Sequence, residues 1–401
     1  MGMIYEKARR FTCILTENGL CYMNDLSKPK GEHTMPLISL SDLRKSDGSS
    51  YTLLPPPPPV CKPGDFTIAA TALEHGHIDG MVASLVKAGA TLKWVFDKNE
   101  AKAQKLAAKY PNVKVARSLD EILDDSDVKL VAAADVPSNR GPLGVRCMNA
   151  GKDYFTDKTP FTTLAQLDEA RKTVAATGRK YMVYYSERIG NECSMLADDL
   201  VSQGAIGKVI SVIGLGPHRM GKPESRPDWF YKKELYGGIL CDIGSHQCEQ
   251  FLQYTGAKDA TINFARVNNF AHPQFPELED FGEASLKGDN GASFYFRVDW
   301  FTPDGLRSWG DGKTIILGTE GTIELRKNID IATDNGANQL YLFDNKQEVR
   351  IDARNTVGCK FFGQFILDCL NRTENAMTQE HAFKAAELCV KIQMAADAAK
   401  L

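Results

Sequence analysis

Long apolar runs are absent from this sequence. Its first apolar stretch, Phe11-Thr-Cys-Ile-Leu, follows the charges of Glu6, Lys7, Arg9 and Arg10. About five residues fall short of the about 7 to 15 of a secretory core and of the about 20 of a membrane span, so a cytoplasmic location is the expectation. A predominant sign of charge is lacking too, since 48 Lys and Arg stand against 51 Asp and Glu for a net charge of −3. Nucleic acid and anionic bilayers both call for a basic surface, so neither is expected as a partner. The ten cysteines never fall at CxxC spacing and show no pairing rhythm. Reduced thiols fit that scatter better than a disulfide framework or a zinc site.

What is present is a 401-residue chain, 43% apolar and 25% charged, long enough for two domains of about 150–200 residues each. Residues 1–64 look different from the rest. Phe11–Leu15 and Leu20-Cys-Tyr-Met flank an Asn18-Gly19 pair, a hairpin signal. Further on, five consecutive prolines, Pro55 to Pro59, predict an extended polyproline strut. It is either a spacer or an arm that crosses to a neighbouring subunit.

Residues 65–188 alternate short β-like runs (Phe66–Ala72, Thr91–Asp97, Val113–Ala116, Val128–Asp135, Asp153–Lys158, Lys180–Glu187) with helical stretches such as Ile78–Lys87 and Glu100–Tyr110. Strands separated by helices imply right-handed crossovers and a parallel, doubly wound α/β sheet. Residues 189–401 carry longer alternating runs (Lys208–Gly216, Ala260–Asn269, Phe281–Gly288, Ala292–Phe301, Thr314–Lys327) and a final helix over Glu380–Lys400. Period two suits an α+β domain with an open, mainly antiparallel sheet. The last helix is free to pack back on the first domain.

Glycine is missing where such a fold most often uses it. A dinucleotide turn reads G-x-G-x-x-G, because the turn is tight and a pyrophosphate must approach the backbone at a helix N-terminus. Here the frame is Ala72-Leu73-Glu74-His75-Gly76-His77, with side chains at all three glycine positions. Position still argues for nucleotide contact by Leu73, Glu74, His75, Gly76 and His77, since the turn joins the first strand to the first helix. Asp97 ends the second strand near the expected spacing of about 20 residues, where an acidic group holds ribose hydroxyls. Asp97 favours NAD over NADP because a carboxylate repels a 2′-phosphate, while Lys98 beside it leaves NADP open. Pro137 and Asn139, after the fourth strand, are expected to border the nicotinamide ribose. The His75/His77 pair is read in three ways: nucleotide donors, a metal pair, or helix-start residues without a ligand. No Cys or acidic partner lies at a ligand-like spacing, so no metal is expected.

Two further stretches carry chemistry. Gly151–Pro160 ends a strand on Lys158, at the edge that faces the ligand crevice of a parallel sheet. Gly237-Gly-Ile-Leu-Cys-Asp242-Ile-Gly-Ser-His246 sets Asp242 and His246 four apart, on one helical face, where the carboxylate can orient the imidazole. Lys158, Asp242 and His246 together make a proton-handling set for oxidising an alcohol, with the imidazole as base and the ammonium stabilising alkoxide. Arg188, His218, Arg219 and Trp229, with His246, are expected to line a carbohydrate pocket through hydrogen bonds and an apolar face. Cys241 and Cys248 are read as small buried hydrophobes.

The GG-x-x-x-D-x-G-x-H element, with Gly151-Lys152 and Asp157-Lys158 before it, resembles the glucose-fructose oxidoreductase / inositol dehydrogenase / rhizopine-catabolism (Gfo/Idh/MocA) family over residues 66–330. The resemblance implies an N-terminal Rossmann domain and a C-terminal α+β domain whose open sheet makes a homo-oligomer, dimer or tetramer. It further implies NAD(P)-linked hydride transfer between a nicotinamide and a sugar, glycoside or cyclitol hydroxyl. By position, the lysine of the family's E-K-P motif falls on Lys158, and the helix motif's aspartate and histidine fall on Asp242 and His246. Asp157 stands for the family glutamate, Thr159 for its proline with Pro160 one along, and the overwritten turn puts cofactor affinity and exchange in question. Two variants of the reading follow: a glycoside-modifying enzyme with tightly bound NAD and a transient 3-oxo sugar, and a non-catalytic member with an impaired turn. A metal-dependent hydrolase or lyase would need His75, His77, Asp242 and His246 to meet around one ion.

Overall fold

The computed structural model describes residues 11–15, 21–25, 35–333 and 336–399. Strands β1 (Phe11–Leu15) and β2 (Cys21–Asp25) pair antiparallel, Leu15 opposite Cys21. The Asn18-Gly19 turn expected between them lies outside the described residues. This hairpin falls in a unit of its own, Met1–Pro36, and Leu37–Leu401 forms a second compact unit.

In the second unit a parallel sheet is built from β3 (Thr67–Thr71), β4 (Thr91–Phe96), β5 (Lys114–Val115), β6 (Val128–Ala133), β7 (Asp153–Asp157) and β8 (Tyr181–Tyr184), in the order β5-β4-β3-β6-β7-β8. Helices α1 (His77–Lys87), α2 (Glu100–Ala107), α3 (Leu119–Asp124), α4 (Pro137–Asn149) and α5 (Leu164–Thr177) make the crossovers. Helices on both faces bury the sheet, and every residue of β3, β7 and β8 is buried. Local chemistry sets the helix starts: Asn99, Ser118 and Thr163 accept from Ala101, Glu121 and Gln166 amides, and Pro137 opens α4. Strand order reverses direction between β3 and β6, so the carboxyl ends of these strands form the crevice where ligands bind in such sheets.

The chain then runs through α6 (Ser186–Ile189) and α7 (Glu192–Ser202) into β9 (Val209–Pro217), and through α8 (Lys233–Tyr236), α9 (Ile239–Asp242) and α10 (Gly244–Thr255). Strands β10 (Ala260–Asn268), β11 (Phe281–Gly288), β12 (Ser293–Asp299), β13 (Lys313–Gly318), β14 (Gly321–Arg326), β15 (Gln339–Asp344) and β16 (Glu348–Asp352) follow, giving the order β10-β11-β12-β9-β13-β14-β15-β16. All neighbours are antiparallel except β12 and β9. The single strand expected over Thr314–Lys327 is the hairpin β13–β14, turned at Thr319-Glu320, and β15 and β16 had no counterpart in the sequence reading.

One face of this sheet packs on α10, where Phe251 stacks on Phe294 at 4.6 Å. The other leaves Ile213, Phe264 and Leu317 at 37%, 46% and 41% exposure. The closing helices α11 (Phe361–Asn371) and α12 (Gln379–Ala398) return to the parallel sheet: the Gln379 side chain bonds both backbone groups of Tyr181 on β8, and Tyr185 donates to Ala382 O. The segment after Leu37 lies along its own chain. Thr52 exchanges two bonds with the Gln203 side chain, Val60 N donates to Ala88 O, and Pro56 lies against Gly358.

Helix α4 carries the residues that border the site, and it can approach the sheet only because Gly144 has no side chain. A Cβ there would stand 2.3 Å from the Tyr181 ring and 2.6 Å from that of Tyr154. Gly144→Ala should therefore lower stability by about 1–3 kcal/mol through overpacking, despite alanine's better helix propensity. The check is a lower urea midpoint at unchanged slope.

Candidate active site

The chain leaves β3 through Ala72 at φ +50°, a left-handed conformation that an alanine adopts at a cost of about 1 kcal/mol. The turn is then pinned. Glu74 and His75 amides both donate to Ala134 O beyond β6, and the Leu73 amide donates to Asp97 Oδ2 at 2.6 Å. Asp97 Oδ1 accepts from the Asn99 amide at 2.7 Å. Glu74 pairs with Lys102 of α2 at 2.9 Å, which partners the carboxylate beside the expected pyrophosphate position.

Beside this turn, at the reversal point of the sheet, opens a cavity of about 530 Å³ lined by Ala72, Glu74, Asp97, Lys98 and Asn139. That volume is ordinary for a cofactor site. Each Asp97 oxygen has one backbone donor and a lone pair to spare for a hydroxyl, so the residues fit a dinucleotide ribose.

A second cavity of about 210 Å³ is lined by residues of both halves of the unit, among them His75, His77, Lys158, His218, Arg226 and Asp242. The first turn of α4 stands between the two cavities, with Val136 and Asn139 on the larger and Pro137 on the smaller. Lys158, following β7, meets Asp242, ending α9, at 2.5 Å, with the side chains 5% and 16% exposed. Burial raises the Asp242 carboxyl, but the Lys158 charge and its hydrogen bond override that and hold it below the usual carboxylate range. The Lys158–Thr159 peptide is cis.

His246 departs from expectation. The helix is interrupted at Ile243, so Asp242 closes α9 while His246 belongs to α10. The carboxylate contacts Lys158, and the imidazole Nδ1 is buried with no hydrogen-bond partner among the described residues. The ring is 2% exposed and does not line the smaller cavity. Burial pushes it down to about 3 against the opposing pull of Glu187, so it is neutral.

Arg188, expected in the carbohydrate pocket, is buried between Asp198 at 2.6 Å and Glu249 at 2.5 Å. Both ends of its guanidinium are used in bracing α6 against α7 and α10, which takes it out of the pocket. His218, Arg219 and Trp229 do line the smaller cavity. The Arg219 guanidinium ties the following loop through Pro303 O at 2.9 Å and Ser308 O at 2.8 Å, His218 is pushed down to about 4 by burial, and the Trp229 indole N–H is buried without a partner among the described residues. Cys241 and Cys248 are buried thiols whose pKa is raised.

Sequence reasoning passed over the centre of this arrangement, Asp157. Fully buried, it accepts from the Lys158 amide at 2.8 Å, lies 2.8 Å from His77 Nδ1 and 3.1 Å from His75 Nδ1, and is 3.3 Å from the buried Arg140 guanidinium. His75, His77 and Asp157 lie close enough to hold a metal ion. A dication would compete with a guanidinium on a carboxylate whose four acceptor positions are already approached, so the trio is better read as a hydrogen-bonded hub. The hydrolase arrangement is not assembled either, because Asp242 is committed to Lys158 and His246 is buried in α10. Arg140, Arg226, Trp300 and Trp309 also line the smaller cavity and carried no sequence signal. The acidic residue preceding Lys158 was the one available clue to the hub.

Fold and cavities together define a two-part dinucleotide-dependent enzyme scaffold. Residues 76–185 match the description "Oxidoreductase family, NAD-binding Rossmann fold" and residues 195–324 match "GFO/IDH/MocA C-terminal domain". The crystal structure of a protein assigned as an oxidoreductase in Erwinia carotovora atroseptica SCRI1043 is 48% identical, covers 83% of this chain and 99% of its own, and superposes with a TM-score of 0.80. The scyllo-inositol 2-dehydrogenase (NADP(+)) of Bacillus subtilis is 27% identical over 187 residues, 46% of this chain and 50% of that protein. The chain spans about half the length of the curated relatives it matches. A levoglucosan dehydrogenase solved with NADH and levoglucosan shares the fold at 15% identity and a TM-score of 0.71, covering 84% of this chain and 98% of its own. The chain belongs to the Gfo/Idh/MocA oxidoreductase family and carries its NAD-binding Rossmann domain.

The neutral burial of His246 has a measurable consequence. The unfolded chain protonates that ring near 6.5, the folded one only near 3, so between these values the unfolded state binds more protons. Its contribution is complete above about pH 6.5 and is lost as pH falls. Melting should be lower at about pH 5 than at about pH 7.5, and His246→Gln should weaken that dependence without abolishing it, since burial also pushes His75 and His218 down to about 4; a wild-type melting point constant across this interval would contradict the buried neutral ring.

Proposed function

We propose that the protein is an NAD(P)-dependent dehydrogenase of sugar, glycoside or cyclitol hydroxyls. The observation that carries this reading is the Lys158–Asp242 pair, in a small cavity one helical turn from the larger cavity that fits the dinucleotide. Bound in the larger cavity, the cofactor supplies a nicotinamide that accepts hydride. Lys158 holds the substrate oxygen and stabilises negative charge on it, and Asp242 fixes the ammonium in position. His246, neutral in the fold, is the base that the family motif assigns for the hydroxyl proton, although its ring lies outside the lining of the smaller cavity. Trp229 and His218 offer surface and a donor to the substrate ring. The relatives named as inositol and levoglucosan dehydrogenases support the substrate class. Asp97 favours NAD over NADP.

The same reading takes residues 1–64 as an arm, 65–188 as the cofactor domain and 189–401 as the domain for substrate and self-association in a cytoplasmic homo-oligomer. The apolar outer face around Ile213, Phe264 and Leu317 supports the last point. A second assignment of the base is favoured by one observation: His77 lines the cavity, and its Nδ1 is held by Asp157, which leaves Nε2 as acceptor.

Nicotinamide reduction should be followed over a panel of inositols, aldoses and anhydrosugars. Lys158→Met and His246→Ala should each lower kcat more than about a hundredfold in folded protein that still binds NAD, while both melt below wild type, the first because it strands the Asp242 charge and the second because it leaves a cavity. Loss on His77→Gln with His246→Ala near wild type would move the base to His77. Activity within about tenfold of wild type in both Lys158→Met and His246→Ala would overturn the reading.

A further inference from the structure

The smaller cavity has one cation too many for a neutral sugar. Four basic side chains line it: Arg140, Lys158, Arg219 and Arg226. Arg140 is matched by Asp157, Lys158 by Asp242, and Arg219 has Asp304 at 3.6 Å. Arg226 has no carboxylate in contact among the described residues. Asp242, whose charge reaches it, is already committed to Lys158. The Arg226 guanidinium is nonetheless built in place. Nε and Nη2 donate to the carbonyls of Arg219 and Met220 at 3.0–3.1 Å, and its plane lies over Phe230 at 4.8 Å and Trp300 at 5.0 Å.

These contacts leave Nη1, on a residue of the cavity wall, without a protein acceptor among the described residues. A partly buried guanidinium is costly to hold unless an anion completes it, and its planar fork matches a carboxylate. The indole N–H of Trp229, also on the wall and buried without a partner among the described residues, is a further donor awaiting an acceptor.

Resting on the dehydrogenase reading, we propose that the substrate is a carboxylated sugar of the uronic acid class, whose carboxylate is held by Arg226 while its ring packs on the tryptophans of the same wall. One surplus positive charge matches a singly charged carboxylate better than a doubly charged phosphate, and about 210 Å³ suits a single sugar unit.

The test is calorimetric titration of the protein as purified, with and without NADH. The ligands are matched sets: D-glucose, D-glucuronate and D-glucose 6-phosphate, then D-galactose and D-galacturonate. At least one uronate should bind about tenfold or more tightly than its neutral partner, and Arg226→Gln should reduce that ratio to about twofold or less, with Arg226→Lys in between. Equal binding of acid and neutral sugar in the wild type, binding of neither uronate, a preference for the phosphate, or a ratio retained in a folded Arg226→Gln would each overturn the proposal. The wild-type comparison stands even if the variants do not fold. The two readings also fail separately: charge preference without NAD reduction by any sugar would leave the subsite and remove the dehydrogenase, and oxidation of neutral and acidic sugars alike would do the reverse.

Discussion

An ammonium from one half of the chain and a carboxylate from the other, pressed together at the junction of two sheets, is the contact on which the site depends. Removing either charge from water costs several kcal/mol, and the mutual attraction offsets that only when geometry is good. Lys158 and Asp242 meet at 2.5 Å, and both are held from behind. The Lys158 backbone is fastened by Asp157 through its amide and by Arg140 through its carbonyl. Asp242 closes a short helix whose Ile239 and Leu240 amides are bonded to Glu279 and Gln393. Neither group can withdraw without leaving the other charged and buried.

The same logic extends beneath the pocket. Glu187 accepts from Lys327 at 2.6 Å and from Gln247 at 2.9 Å, and Lys327 reaches Gln250 at 3.0 Å, joining α6, α10 and the residue after β14. Burial raises the Glu187 carboxyl, yet the Lys327 charge holds it well below the ordinary range. Networks of this kind stabilise a fold only when every member is satisfied. Polar atoms left over near the cavity among the described residues, including the His246, Arg219 and Trp229 nitrogens, are therefore informative about what binds there.

The turn without glycines is solved position by position. The first glycine supplies a left-handed backbone, and Ala72 adopts it with the strain that entails. The second keeps side chains away from the pyrophosphate; Glu74 keeps its own charge partnered by Lys102. The third permits close packing of helix on strand; His77 sends its ring to Asp157 instead. The turn thereby joins the proton-handling side of the site as well as the cofactor side.

The doubly wound sheet, the mixed sheet and the candidacy of Lys158, Asp242 and Asp97 were legible in the chain, because hydrophobic period, strand ends and turn residues are local properties. Partnership was not. Asp242 pairs with Lys158, 84 positions away in sequence, and makes no hydrogen bond to the histidine four positions away among the described residues. Arg188 was taken by two buried acids, and His75 and His77 by Asp157. Which charges neutralise one another depends on how separate elements pack, and periodicity along a chain carries no record of that distance.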